Sequence, residues 1–131
     1  MRHLGLTPQA VHKIGGYRVQ GRDDETAGRL RADALALEAA GADILLLECV
    51  PMKLAAEVTK AAKIPVIGIG AGPDCDGQIL VLYDILDIAP GKRTRFSKNY
   101  MQGQESIEGA VRQYVEEVES GAFPTAEYAF E

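Results

Sequence analysis

Two residues, Glu48 and His3, stand where a side chain can act rather than only pack. Glu48 closes the apolar part of "ADILLLECVP", residues 42 to 51, in which Ile44 to Leu47 read as a buried strand. An ionised carboxylate in apolar surroundings is costly unless it is paired or has a task. In parallel α/β folds the carboxyl end of a strand faces the ligand crevice. Glu48 is therefore a candidate general base, with partial burial raising its pKa toward the working range. The plainer reading is a carboxylate bonded to a neighbouring loop's backbone or to an arginine. His3, in "RHLGL" (residues 2 to 6), lies near the carboxyl end of another short apolar strand. A lone histidine is ordinarily a structural hydrogen-bonding residue. Adjacent strands that bring His3 and Glu48 to one rim would favour a role at a ligand.

The remaining motifs carry weaker chemistry. "GIGAG", residues 68 to 72, lacks the G-x-G-x-x-G spacing of a dinucleotide site, so its glycines are read as a tight turn or a close approach to a ligand. "PDCDG" lacks the full calcium-loop pattern and is read as a turn and helix cap, with Asp76 before Gly77. Tyr17, Arg18 and Arg22 can bind an anion, against a solvated loop as the default. "GKRTR", residues 91 to 95, is too small a basic cluster for nucleic acid and reads as a surface turn.

The elements that must position these residues follow from periodicity. Residues 7 to 23 hold Pro8 and the pair Gly15-Gly16, which predicts a long loop with at most one helical turn. Asp23 or Asp24 can cap a helix running to about Ala40, with Leu30, Ala34 and Leu37 on one face and Gly41 to close it. After the strand over 43 to 49, Pro51 is placed as the first residue of a helix burying Leu54, Ala55 and Val58. A strand "VIGIGAG" and a helical "GQILVLYDIL" come next, then a last short strand at residues 94 to 100. The final helix, about 105 to 120, is expected to bury Ile107, Val111, Tyr114 and Val118.

Continuous apolar strands alternating with amphipathic helices mean a parallel sheet covered by helices, an α/β fold. With 131 residues the chain is a single unit, 1–131. It is either a small open sheet or half of a barrel, because a (β/α)8 barrel needs eight strands and about 250 residues. A first residue that already lies in a strand favours the half. The net charge of -5 offers no basic footprint for nucleic acid and no cationic face for a membrane. Two cysteines without close spacing suggest neither a zinc site nor a disulfide framework, and a reducing cytoplasm is the natural setting. No apolar leader follows Met1.

"HLGLTPQAV", "GGYRVQGR", "DALALEAAGADILLLECVP", "IPVIGIGAG", "CDGQILVLYD" and "VRQYVEEVESGAFPTAEYAF" closely resemble ketopantoate hydroxymethyltransferase, in order and over essentially the whole chain. The resemblance implies a TIM barrel of the phosphoenolpyruvate/pyruvate type, of which this chain is the carboxyl-terminal half, about strands five to eight. It implies hydroxymethyl transfer from 5,10-methylenetetrahydrofolate to the keto acid 3-methyl-2-oxobutanoate, giving 2-dehydropantoate in pantothenate biosynthesis. It further implies Mg2+, a cytoplasmic homo-oligomer, Glu48 as the catalytic base and His3 as a substrate contact. The family's metal-binding carboxylates and a lysine near the keto acid lie on earlier strands, so this chain holds no metal ligands of that set. Arg2 departs from the small residue usual before the histidine.

On this reading the chain alone is inactive and not a monomer. Its partner is a missing amino-terminal half or a second copy, because Leu45, Leu47, Val66 and Ile67 would form an inward layer without opposing strands. The alternative is a non-catalytic α/β module that keeps the fold and binds a partner.

Overall fold

Four short strands lie side by side in the order β1-β2-β3-β4, every neighbouring pair parallel. The computed structural model describes residues 1–10, 12, 16 and 18–131. The strands are β1 (Arg2–Gly5), β2 (Leu45–Glu48), β3 (Val66–Ile69) and β4 (Gly77–Gln78), and the helices are α1 (Asp24–Ala39), α2 (Met52–Ala61), α3 (Leu82–Ile85) and α4 (Ile107–Glu119). Single 3-10 turns occupy Pro8–Ala10 and Ala126–Tyr128. The first is the one helical turn expected in the long loop; Gly15 and Tyr17 of that loop lie outside the described residues.

β2 organises the packing. Its side chains alternate, as any strand's must. Leu45 and Leu47 are fully buried and meet Leu30 and Ala34 of α1, Leu54, Ala55 and Val58 of α2, and Val66 of β3. Leu46 points to the opposite face and packs with Leu6, Cys49, Ile69 and Phe96, with Ile67 and Phe130 partly buried against them. The expected inward layer is thus corrected. Leu45, Leu47 and Val66 belong to the helix-facing core, and of the four only Ile67 lies on the other face. Both helices over that core form as their patterns predict. Asp23 caps α1 by accepting from the Thr26 backbone N–H at 2.8 Å. Pro51 stands one position earlier than expected, as the N-cap of α2, and the Phe130 carbonyl accepts the Met52 N–H at 2.8 Å.

The second half departs further. Residues 94 to 100 are turns rather than a strand. The Ser97 hydroxyl donates to the Thr94 carbonyl at 3.1 Å, and the Asn99 side-chain oxygen accepts from the Met101 N–H at 2.8 Å, local bonds that compete with a ladder. The fourth strand is instead Gly77–Gln78, the start of the stretch expected to be helical, and helix is confined there to α3. Asp76 is not a helix cap: its Oδ2 accepts from the Val66 N–H at 2.8 Å. On α4 the buried residue is Ala110, with Tyr114 and Val118 packed beside it, whereas Ile107 is 59% exposed and so off the buried face.

Gly5 ends β1 opposite Glu48 with φ +86, and a Cβ there would collide with the Glu48 carbonyl oxygen. Gly5→Ala combines a left-handed conformation with that collision and should cost about 3 kcal/mol of stability. Denaturant unfolding checks this, and a cost near zero would mean that the close β1–β2 contact can relax.

Candidate functional site

Glu48 is the last residue of β2, on the face away from the helices, and its register partners are Gly5 on β1 and Ile69 on β3. Two ladder-like bonds hold its level: the Leu6 N–H donates to the Glu48 carbonyl at 2.8 Å, and the Cys49 N–H donates to the Ile69 carbonyl at 2.9 Å. His3, whose register partner is Leu46, projects from the neighbouring strand. Its Nε2 lies 3.0 Å from Glu48 Oε2, with the two side chains 24% and 15% exposed. The structure therefore brings both candidate residues to one rim. The ring N–H is turned off the line to the oxygen, so the contact is a close approach rather than an aligned hydrogen bond, and Nε2 is sealed from solvent.

Burial pushes the Glu48 carboxyl above its ordinary range, and the neighbouring His3 charge pulls it only part of the way back. The apolar neighbours Leu46, Ile69 and Cys49 supply that burial. Cys49 itself adopts φ 50, a left-handed conformation uncommon for a residue with a side chain, at the point where the chain leaves β2. Its carbonyl accepts the Gln20 N–H at 3.0 Å, which ties the end of the long loop to the site. Nothing in "ECVP" signals that conformation in the sequence.

Phe96 was also missed. Its ring lies over Gly70, just past β3, where φ is +62 and a Cβ would come within 2.9 Å of the ring. Phe130 meets it edge-on at 6.3 Å, and the Arg95 guanidinium lies over the Phe130 ring. The expected close neighbour of "GIGAG" is a ligand; at Gly70 that place is taken instead by the chain's own Phe96 ring. Arg18 and Arg22 are both exposed, and Arg22 lines a hollow of about 430 Å³ between the starts of α1 and α2 that includes neither His3 nor Glu48. Oppositely charged Asp23, Lys53 and Glu57 share that hollow, so it has no single-sign character. Within "GKRTR", Arg93 pairs with Asp87.

Among the described residues no three His, Cys, Asp or Glu side chains converge to hold a metal ion. No helix of the described residues is long and apolar enough to cross a membrane.

A family model for ketopantoate hydroxymethyltransferase matches residues 1–126. The chain belongs to that family. It is 63% identical over 128 residues to the 3-methyl-2-oxobutanoate hydroxymethyltransferase of Alkalilimnicola ehrlichii, covering 98% of this chain and 46% of that relative. It is 59% identical over 129 residues to the enzyme of the same name from Pseudomonas fluorescens, covering 98% of this chain and 48% of the relative. The corresponding figures for Janthinobacterium are 56% over 130 residues, 99% and 48%. The chain thus spans about half the length of the curated relatives it matches. As a member of a ketopantoate hydroxymethyltransferase family it carries the α/β fold with a parallel four-stranded sheet, consistent with part of a barrel.

The two cysteines of this family member are poor nucleophiles. Burial pushes the Cys49 thiol up to about 12, with the Glu48 charge adding to it, and burial pushes Cys75 up to about 11. At pH 8 both remain thiols, and the thiolate is the reactive form. A disulfide reagent such as DTNB should therefore label the folded chain slowly and titrate both cysteines promptly after unfolding. Fast labelling of a folded chain would mean that Cys49 is not packed as described.

Proposed function

We propose that this chain supplies the general base to hydroxymethyl transfer from 5,10-methylenetetrahydrofolate to 3-methyl-2-oxobutanoate, giving 2-dehydropantoate and tetrahydrofolate. It does so as the carboxyl-terminal half, about strands five to eight, of a (β/α)8 barrel of the phosphoenolpyruvate/pyruvate type. The observation that carries the proposal is Glu48: a desolvated carboxylate at a strand's carboxyl end, with a single imidazole 3.0 Å away. The names of the relatives supply the keto acid and the hydroxymethyl group, and the folate donor is what the family resemblance implies.

The proton to be lost is on C3 of the keto acid, beside the ketone, and is weakly acidic. A carboxylate whose proton affinity is raised by burial is suited to take it. Water releases the one-carbon unit from the folate: both of its C–N bonds break, the two nitrogens of tetrahydrofolate take the protons, and the carbon keeps the water oxygen as a carbonyl. The electron pair left on C3 then bonds to that carbon, and the oxygen takes up a proton to become the new hydroxyl. His3 holds the keto acid through a hydrogen bond from its ring to a ligand oxygen, which fixes C3 against Glu48. Among the described residues no three acidic, histidine or cysteine side chains converge to suit the Mg2+ that the family resemblance implies. A cytoplasmic setting belongs to the same proposal.

The partner in this reading is a complementary amino-terminal half or a second copy of the chain. Its support is the pair of free strand edges, β1 and β4, together with exposed Ile79, Val81, Leu82, Tyr83 and Ile88 just beyond β4. Apolar surface in one stretch of this kind is ordinarily covered.

Two measurements test these statements. The first uses a chimera in which this chain replaces the matching segment of the Alkalilimnicola ehrlichii relative. There, Glu48→Gln should slow deuterium exchange at C3 of 3-methyl-2-oxobutanoate by about 10²–10⁴-fold, the usual contribution of a positioned base. Unchanged exchange would remove Glu48 from the role. The second is light scattering on the chain alone, which should give a mass above 14.1 kDa. A well-folded, dilute monomer would count against the need for a partner.

A further inference from the structure

Glu48 Oε2 and His3 Nε2 are 3.0 Å apart. The buried nitrogen has no hydrogen-bond partner among the described residues, so the carboxylate is its nearest polar neighbour without an aligned bond. Neither Glu48 oxygen accepts a hydrogen bond from a described side chain, and Oε2 is the one nearest the imidazole.

We infer that His3 is a positioning residue for Glu48: its imidazole, packed 3.0 Å from Oε2, holds the carboxylate in place and sets how tightly it keeps a proton. This rests on the reading of Glu48 as the base. In the step itself the C3–H bond breaks, its proton goes to the Glu48 carboxylate, and its electron pair stays on C3 to form the new carbon–carbon bond.

The groups around Glu48 are few. β1 presents His3, β3 presents the uncharged Ile67 and Ile69, and Leu6 and Phe96 close the cluster without charge. Cys49, on its own strand, stays neutral up to about 12. Burial raises the carboxyl and His3 alone opposes it. Without His3, Glu48 should hold its proton to higher pH. The sign for stability follows. The folded chain binds this proton more tightly than the unfolded chain, so stability falls as pH rises from the ordinary 4.5 through the folded midpoint, and loss of His3 extends that fall.

The experiment is a carbon-13 NMR titration of the glutamate carboxyls in the 131-residue chain, with Glu48 assigned by the signal missing in Glu48→Gln. In His3→Ala the Glu48 midpoint should move to higher pH. In His3→Gln, which keeps a neutral donor, it should move less. The backbone amide spectrum shows in each variant that the fold is kept, and His3→Gln supplies the reading if His3→Ala does not fold. In the chimera, His3→Gln should also shift the acid limb of the C3-exchange profile upward, whereas a mere ligand contact would change KM and leave the limb in place. An unmoved Glu48 midpoint in the folded variants overturns the inference. Full exchange in Glu48→Gln overturns the base reading instead, and the titration in the chain alone is independent of it.

Discussion

The period-two alternation of β2 is the constraint on which the rest of the molecule depends. Leu45 and Leu47 are sealed against two helices, so the intervening Leu46 and the following Glu48 must point the other way. A slip of one residue would drive the carboxylate among Leu30, Leu54 and Val58 and lift two leucines out of the core. The helix-facing core therefore fixes where the carboxylate points, although it makes no contact with it. Pairing on both sides fixes its height, through Gly5 and Ile69. His3 reaches it by the same rule, since a side chain on the same face of the adjacent parallel strand is the nearest polar group available.

The legible parts of this fold are those in which a local pattern and a tertiary demand coincide. α1 and α2 bury the leucines, alanines and valine that their spacing selects, and Asp23 caps α1, because amphipathic period and capping chemistry point the same way. Glu48 and His3 could be placed at one rim for a similar reason: an apolar run that ends in a charge marks the end of a strand. β4 could not be placed, since two paired residues carry no period. Residues 94 to 100 have strand-like residue types, but Thr94, Ser97 and Asn99 satisfy the backbone locally. Ile107 looked like a core residue because it lies at the edge of the apolar stripe, and it is the packing around Ala110 that decides which side of α4 is buried.

The rim also carries the chain's unusual backbone. Cys49 is left-handed immediately after Glu48, and Gly5 and Gly70 have positive φ beside it. Such conformations persist only where the surroundings over-determine them. Here the surroundings are the Gln20 and Ile69 backbone bonds to Cys49 and the Phe96 ring over Gly70. The turn at Cys49 lets the chain leave β2 sharply enough for Pro51 to cap α2, while the last side chain of the strand stays on the face away from the helices.

A comparison within the chain separates a carboxylate whose pairing outweighs its burial from one whose burial outweighs its pairing. Glu117 on α4 is also largely covered, and burial alone would push it up. It receives the Lys98 ammonium on both oxygens at 2.8 and 2.6 Å, the Gln113 amide at 2.9 Å and the Tyr100 hydroxyl at 2.9 Å. Those donors more than offset its burial and hold the carboxyl below its ordinary range. Every lone pair has a use, and the result is a clamp that pins α4 to the segment carrying Lys98 and Tyr100. Glu48 is treated in the opposite way. It has one imidazole, poorly aimed, against a wall of Leu46, Ile69 and Phe96, and its carboxyl stays above its ordinary range. A fold that needed Glu48 only for cohesion had the means to satisfy it, as it does Glu117. Under-solvation together with under-pairing at a strand end keeps a carboxylate basic, and that combination occurs at Glu48 and not at Glu117.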